Sequence, residues 1–462
     1  MMRSTMLLAV AALSLVGPSR SPFSAQCPST TLGVNSVRSA QCTLSQARAS
    51  VADTATSDFE INGLHVIVRR NTATDVIAAN LYLLGGSQQL TPQTQGIEAL
   101  MLSASGKGSR RYPGTKLRSE LQRLGSDISI GVGEDFSTYG LKAIRSTIDS
   151  SWAIYADRLM SPTMAAVDVD QIKSQMVTEL QQGEINPDAL LSRLADSLEF
   201  SGHPYGLATE GTVQSLSGMT AVHLREYMQR TLVTTRMLLV VVGNIDRPHV
   251  EQLVRMTFAT LPRGDYVWKA PPPSPSRKAS VLRTANLPTN YVLGYYSGPA
   301  ATADDYNALR LASAIIAGRF FTEIRSKRNL SYAADAPFLE RAIATGGVYV
   351  TTVDPNASLT IMRSEITRLQ TELIDRDGLD RLVEQFITEY FLKNETNGDQ
   401  ASFLARAAIY QGDYRAADRF VADLRRVNPD DIRRAARQYM RNFSFAYVGD
   451  PGKVDRALFD RF

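Results

Sequence analysis

Four imidazoles and two thiols are the side chains from which metal or nucleophile chemistry would have to be built in this chain. The histidines are His65, His203, His223 and His249. Two imidazoles four residues apart on a helix share one face and can grip one metal ion, and a Glu just before the second can activate the bound water. The nearest approach is His223-Leu224-Arg225-Glu226-Tyr227, where a phenol stands in place of the second imidazole. Cys27 and Cys42 each end a repeated Ser-Ala-Gln-Cys and lack the clustered spacing and His partners of a metal site. An oxidising compartment would let them pair, but that bridge would staple a leader and not a core. No Gly-x-Ser-x-Gly elbow occurs, so hydrolysis by a side-chain nucleophile has no candidate.

The hydrophobic pattern that must position any site falls into two similar halves. Alternation from Phe59 to Val68 around Asn62-Gly63 predicts a hairpin, and Val76–Leu84 a further strand running into Gly85-Gly86. Helical periodicity follows at Gly96–Ala104, Thr115–Leu124 and Ser150–Ser161, then over Val169–Phe200 with a break at Asn186-Pro187. The strand Met237–Val242, the turn Gly243-Asn244 and the helix Pro248–Phe258 close the first half. The run Pro271-Pro272-Pro273-Ser274-Pro275 reads as an extended, semi-rigid linker. A strand at Tyr291–Tyr296 then restarts the series, which ends on Phe443–Val448, Gly449-Asp450 and a short helix Val454–Phe459. Tyr227-Met228-Gln229-Arg230, a strand and Val242-Gly243-Asn244 correspond to Tyr439-Met440-Arg441, a strand and Val448-Gly449-Asp450. The same order of helix, strand, turn and helix at both ends indicates an internal duplication of one α+β domain.

The stretch from Gly96 to Ser109 resembles the signature of the pitrilysin/insulinase metallopeptidases, Gly-Leu-x-His-x-x-Glu-His-x-x-x-x-Gly-Thr, with Gly96, Gly108 and Ser109 in register. The weaker matches Leu124-Gly125-Ser126-Asp127-Ile128, Tyr155–Pro162 and His203-Pro204-Tyr205-Gly206 occur in family order. The resemblance covers residues 58–462 and implies the family's short form, an α+β protein of two homologous α/β-sandwich domains arranged as half a clam shell. It places the first zinc-binding His on Ala99, the general-base Glu on Leu102 and the second His on Ser103. Ala and Leu cannot ligate zinc, and a neutral Ser hydroxyl is a poor ligand. The third ligand position keeps its residue, Glu179, within Val177-Thr178-Glu179-Leu180. His223 to Tyr227 falls on an ordinary packing helix of the family and is a decoy. The implied site therefore has no metal ligand set and no catalytic residue in this chain.

A second family segment survives. Ile324-Arg325-Ser326-Lys327-Arg328-Asn329-Leu330-Ser331-Tyr332 is similar to Leu-Arg-x-Lys-x-x-Leu-x-Tyr, which makes Arg325 and Tyr332 the implied substrate-binding pair. A guanidinium and a phenol are donors able to hold a substrate carbonyl and stabilise a developing oxyanion. Arg319, Lys327 and Arg328 are expected to add positive charge that draws anionic groups inward.

The resemblance thus implies a non-catalytic, substrate-positioning subunit. It takes no cofactor itself, and zinc is expected on a sister peptidase subunit; the substrate is a peptide. Two alternatives are a peptide-binding or assembly protein with no role in proteolysis, and an active zinc peptidase working through an unrecognised site. The net charge of +4 over 462 residues, with no basic stripe, excludes nucleic acid as a partner. Arg3 and the apolar run Met6–Val16, ended by Gly17-Pro18, predict a secretory signal peptide cut near Ala25. The run is too short to span a bilayer, and Gln26 is too large for a lipidation site at Cys27, so no stable membrane anchor is expected. The product is expected in the periplasm or secreted. The expected division is signal peptide 1–25, leader 26–57, N-terminal domain 58–265, Pro-rich linker 266–280 and C-terminal domain 281–462.

Overall fold

The computed structural model describes residues 56–275 and 277–462. The signal peptide, most of the leader and both cysteines lie outside the described residues. Among those described, no helix is long and apolar enough to cross a membrane.

In the first half, β1 (Thr56–Ile61) and β2 (Leu64–Arg70) zip across Asn62-Gly63. Both turn residues have positive φ, 50° and 83°, which matches the twist of the flanking strands. β3 (Val76–Leu84) follows, then α1 (Ile97–Ser105), α2 (Thr115–Leu124), β4 (Asp127–Val132) and β5 (Phe136–Ile144). Five helices come next: α3 (Ile148–Met160), α4 (Ala166–Ile185), α5 (Pro187–Glu199), α6 (Val213–Ser217) and α7 (Ala221–Thr231). β6 (Met237–Gly243) and α8 (Arg247–Arg255) complete this half. The break between α4 and α5 falls at Asn186-Pro187, where extended Asn186 caps α5 by accepting from the backbone N–H groups of Asp188 and Ala189.

The second half begins with β7 (Ala279–Thr284), β8 (Asn290–Ala300) and α9 (Asp305–Phe320), then β9 (Ala333–Asp335), β10 (Phe338–Leu339) and β11 (Ile343–Thr352). Five helices again follow: α10 (Pro355–Thr371), α11 (Arg376–Lys393), α12 (Asn397–Gln411), α13 (Ala416–Arg426) and α14 (Pro429–Tyr439), before β12 (Ser444–Gly449). The short helix expected at Val454–Phe459 is instead a 3-10 segment at Arg456–Arg461, where Phe459 stacks on Phe445 and Phe462 meets the same ring edge-on.

The sheets confirm the duplication. The first runs β1-β2-β6-β3-β5-β4 and the second β7-β12-β8-β11-β10, with β9 also on β11. In each, one parallel pair (β2 with β6, β7 with β12) is continued by antiparallel neighbours in equivalent order. One face of the first sheet is covered by α1, α3, α7 and α8, and one face of the second by α9, α10 and α14.

The other faces are covered by exchange. α12 of the second half lays Ala401, Leu404 and Ala405 on Ile67, Tyr82, Leu238, Val240 and Val242 of the first sheet. α5 of the first half lays Leu191 and Ala195 on Leu293, Tyr295, Ala446 and Val448 of the second. α5 and α12 hold the same place in the two five-helix series. The Pro-rich run is likewise no free spacer. Pro272 O accepts from His203 Nε2 at 2.7 Å, and Ser274 Oγ, buried, donates to Glu199 Oε1 at 3.0 Å. The strap is thus held by one proline carbonyl that accepts and one serine hydroxyl that donates, at and just past the end of α5.

Polar contacts fasten the same seam. Asp135, in the β4–β5 turn, accepts from Tyr205 Oη (2.7 Å), Ala342 N (2.8 Å) and Tyr410 Oη (2.9 Å). Arg341 donates to Glu134 at 2.8 Å and lies over the rings of Phe200 and Tyr205. Burial pushes the Asp135 carboxyl up, and it pushes Asp196 on α5 up to about 6 against the opposing charge of Arg341.

Two outcomes are expected. Leu404→Ala, deleting an apolar side chain with no exposed surface between the halves, should cost about 2–5 kcal/mol of stability in a denaturant titration. Asp196 titrates in the fold above the ordinary carboxylate value near ~3.9, so the folded state holds that proton more tightly than the unfolded chain. The penalty of its charge is full above pH 6 and fades as pH falls toward about 4. Asp196→Asn should therefore raise stability at pH 7.5 by up to roughly 3 kcal/mol, with the difference from the parent closing below about pH 4.

Candidate functional site

α1 is entered through Gly96, whose φ of 84° and contact with Gly211 leave no room for a side chain: an added Cβ would lie 2.6 Å from Gly211 Cα. Along α1, Ala99 and Leu102 are buried in the first core and Ser103 is half-buried. The positions of the first expected ligand and of the base are thus filled by packing. Glu179, on the neighbouring α4, is exposed and makes no ion pair or side-chain hydrogen bond among the described residues. No three His, Cys, Asp or Glu side chains converge as a metal-ligand set there or elsewhere among the described residues. The residues present do not fit zinc.

What fixes α1 is a residue the sequence reading passed over. Glu98, buried, takes Arg236 Nη2 at 2.6 Å and Tyr227 Oη at 2.8 Å on one carboxylate oxygen. Arg236 also donates Nε to Leu84 O at 2.6 Å, tying α1 to the end of β3. The signal was a Glu inside an otherwise apolar helix, with an Arg directly before an unbroken apolar strand. Tyr227 closes the His223 motif onto this buried pair, while His223 and Glu226 stay exposed on the rim of a cleft of about 980 Å³ beside α1 and α4.

The basic segment has different surroundings. α9 runs into a π-helical turn at Phe321–Ser326, where Lys327 N donates to Thr322 O at 3.0 Å. Ile324, with no exposed surface, anchors the turn. Arg325 projects outward with its guanidinium 5.0 Å from the centre of the Phe321 ring, itself 49% exposed. Asn329, at φ 51°, reverses the chain into Ser331, whose buried Oγ accepts from Ala333 N at 2.9 Å and so sets the start of β9. Tyr332 stands there with 82% of its surface exposed. β9 packs on the π turn, so Arg325 and Tyr332 share one rim of the second half.

The flanking cations are paired within the fold, with two of them sharing one acid. Glu323 takes both Lys327 Nζ and Arg328 Nη1 at 2.6 Å, and these bonds hold its carboxyl below the usual range. Arg319 lies 3.7 Å from Glu365. Arg325 has no carboxylate partner among the described residues. Phe321 is the member of this rim that residue spacing did not single out.

Two family models match the chain: insulinase (peptidase family M16) over residues 65–213 and the peptidase M16 inactive domain over residues 218–386. An uncharacterized zinc protease of Rickettsia felis is 20% identical over 402 residues, 85% of this chain and 97% of the relative. The mitochondrial-processing peptidase subunit beta of Blastocladiella emersonii is 21% identical over 255 residues, 55% of each chain. Among solved structures, the peptidase M16 inactive domain from Pseudomonas fluorescens superposes with a TM-score of 0.78 at 17% identity, over 86% of this chain and 98% of that one. The periplasmic protease PqqL of Escherichia coli gives 0.71 at 14% identity, over 85% of this chain and 46% of that one.

Glu98→Gln should cost about 3–5 kcal/mol in a denaturant titration, because it strands the Arg236 charge in the core. Glu179→Gln should leave stability within about 0.5 kcal/mol of the parent, as for an unpartnered surface group.

Proposed function

Since the chain belongs to the insulinase (M16) peptidase family, with its two models together matching residues from both halves, we propose that it is a non-catalytic subunit that positions peptide substrate for a zinc-bearing sister chain. The observation that carries this reading is a contrast within one molecule. The helix that would hold the metal is packed with Ala99 and Leu102, while the Arg325/Tyr332 rim is left open to solvent. Side chains kept only for packing would be covered; these two stand free, with Tyr332 82% exposed.

In the pair, the sister supplies zinc and the base. This chain closes the chamber and presents Arg325 and Tyr332 as donors to the carbonyl under attack, where negative charge develops. Two relatives are by name parts of assemblies: the mitochondrial-processing peptidase subunit beta and subunit 1 of the bovine cytochrome b-c1 complex. Export is part of the same reading, supported by the apolar run Met6–Val16 and by the periplasmic description of PqqL.

The test is peptide cleavage by the chain mixed with a sister of similar length carrying an intact His-x-x-Glu-His. The mixture should cleave faster than the sister alone. Arg325→Ala should remove roughly 10²-fold of that rate and Tyr332→Phe a smaller share, with complex formation by size exclusion unchanged. Unaltered cleavage in both variants would assign the chain to assembly or peptide binding without a role in proteolysis. A mixture no faster than the sister alone would sink the proposal.

A further inference from the structure

We propose that the Arg325 rim reads a carboxylate on the bound peptide, so that the preferred substrates carry an Asp or Glu beside an apolar residue. This rests on the peptide-positioning role above and adds the substrate class to it. The argument begins with charge. Three of the four cations in the segment have a carboxylate beside them: Lys327 and Arg328 share the single Glu323, and Arg319 lies near Glu365, so the segment as a whole keeps net positive charge. Arg325 alone in this group lacks an acid. Its positive charge therefore remains to be matched from outside.

Geometry narrows what can match it. The guanidinium rests on the Phe321 ring at 5.0 Å, a contact that uses the cation's attraction to the ring and none of its N–H donors in a hydrogen bond. Five donors in a planar fork stay available, the arrangement that takes a carboxylate through two parallel bonds. A carbonyl under attack uses one or two of them, and the remaining donors and the charge are left for a neighbouring carboxylate. Phe321 and Arg325, at i and i+4 along this turn, share one exposed face while Ile324 is buried beneath them.

The surroundings supply an apolar seat for the neighbouring residue. β9 pairs antiparallel with β11, Ala333 facing Thr351. Tyr332, just before β9, and Val353, just past β11, thus lie at the same end of that ladder. They are 82% and 62% exposed, and Phe321 adds a third exposed apolar side chain.

The experiment uses the full chain and two fluorescein-labelled peptides identical except for Glu against Gln next to a Leu, with affinity read by anisotropy at low and high salt. The Glu peptide should bind about tenfold tighter at low salt, an advantage that shrinks as ionic strength rises. Arg325→Gln should abolish the difference and Phe321→Ala should reduce it. Arg325→Glu should transfer the preference to a peptide bearing Lys at the same position. All three substitutions are at exposed positions, and circular dichroism would verify that the fold is retained. Equal binding of the Glu and Gln peptides, both weakened by Arg325→Gln, would overturn the carboxylate reading and leave the peptide-positioning role standing. No measurable binding of either peptide by the parent chain would overturn both.

Discussion

Each half of this protein covers one face of its twin's sheet, and that exchange is the constraint on which the rest depends. A sheet with one bare apolar face cannot persist in water, and neither half buries both faces with its own helices. α12 closes the first sheet and α5 the second, so the halves form one folding unit with two cores. The polar seam at Asp135, Glu134 and Arg341 contributes direction more than energy. A buried carboxylate with three donors tolerates one arrangement of the halves, whereas apolar contact alone would tolerate several.

Within that frame the two candidate sites have diverged. The first half keeps the helix that matches the zinc motif, including the glycine entry at Gly96 and the anchoring ion pair from Glu98, yet Ala99 and Leu102 are buried in packing, while Ser103 is half-buried and Glu179 faces solvent. The second half keeps an outward-facing Arg325 on a π turn and an exposed Tyr332 just before β9. The same duplicated architecture thus carries one face filled by packing and one that remains exposed to solvent. The scaffold is indifferent to this difference because α1 and α9 are held by their buried sides.

Much of the architecture was legible in the chain because its signals are local. Asn62-Gly63 forces a hairpin, Asn186-Pro187 breaks a helix, and two apolar strands followed by Gly mark the ends of the repeats. The Arg325/Tyr332 segment was legible by its spacing. The exchange of α5 and α12 was not, since amphipathic helices announce an apolar face without naming the sheet it meets. The Pro-rich run looked like a spacer for a related reason: nothing in its composition reveals that His203 and Ser274 fasten it to the end of α5. The sharing of Glu323 was only half legible: Lys327 sits at the ordinary i,i+4 spacing, but Arg328 at i,i+5 reaches the same acid only where the helix widens.

The π turn at Phe321–Ser326 has a consequence for how this rim can vary. A π turn is an α-helix with one residue too many, and each helical residue advances the side chains by roughly 100° around the axis. Loss of one residue between Phe321 and Arg325 would restore ordinary winding and shorten their spacing from i,i+4 to i,i+3, so that guanidinium and ring would still be neighbours but would meet at a different angle. The rim is therefore specified by a count as well as by the identity of its residues. A relative with the same Arg and Tyr but one residue fewer would spell the same motif and present a different surface.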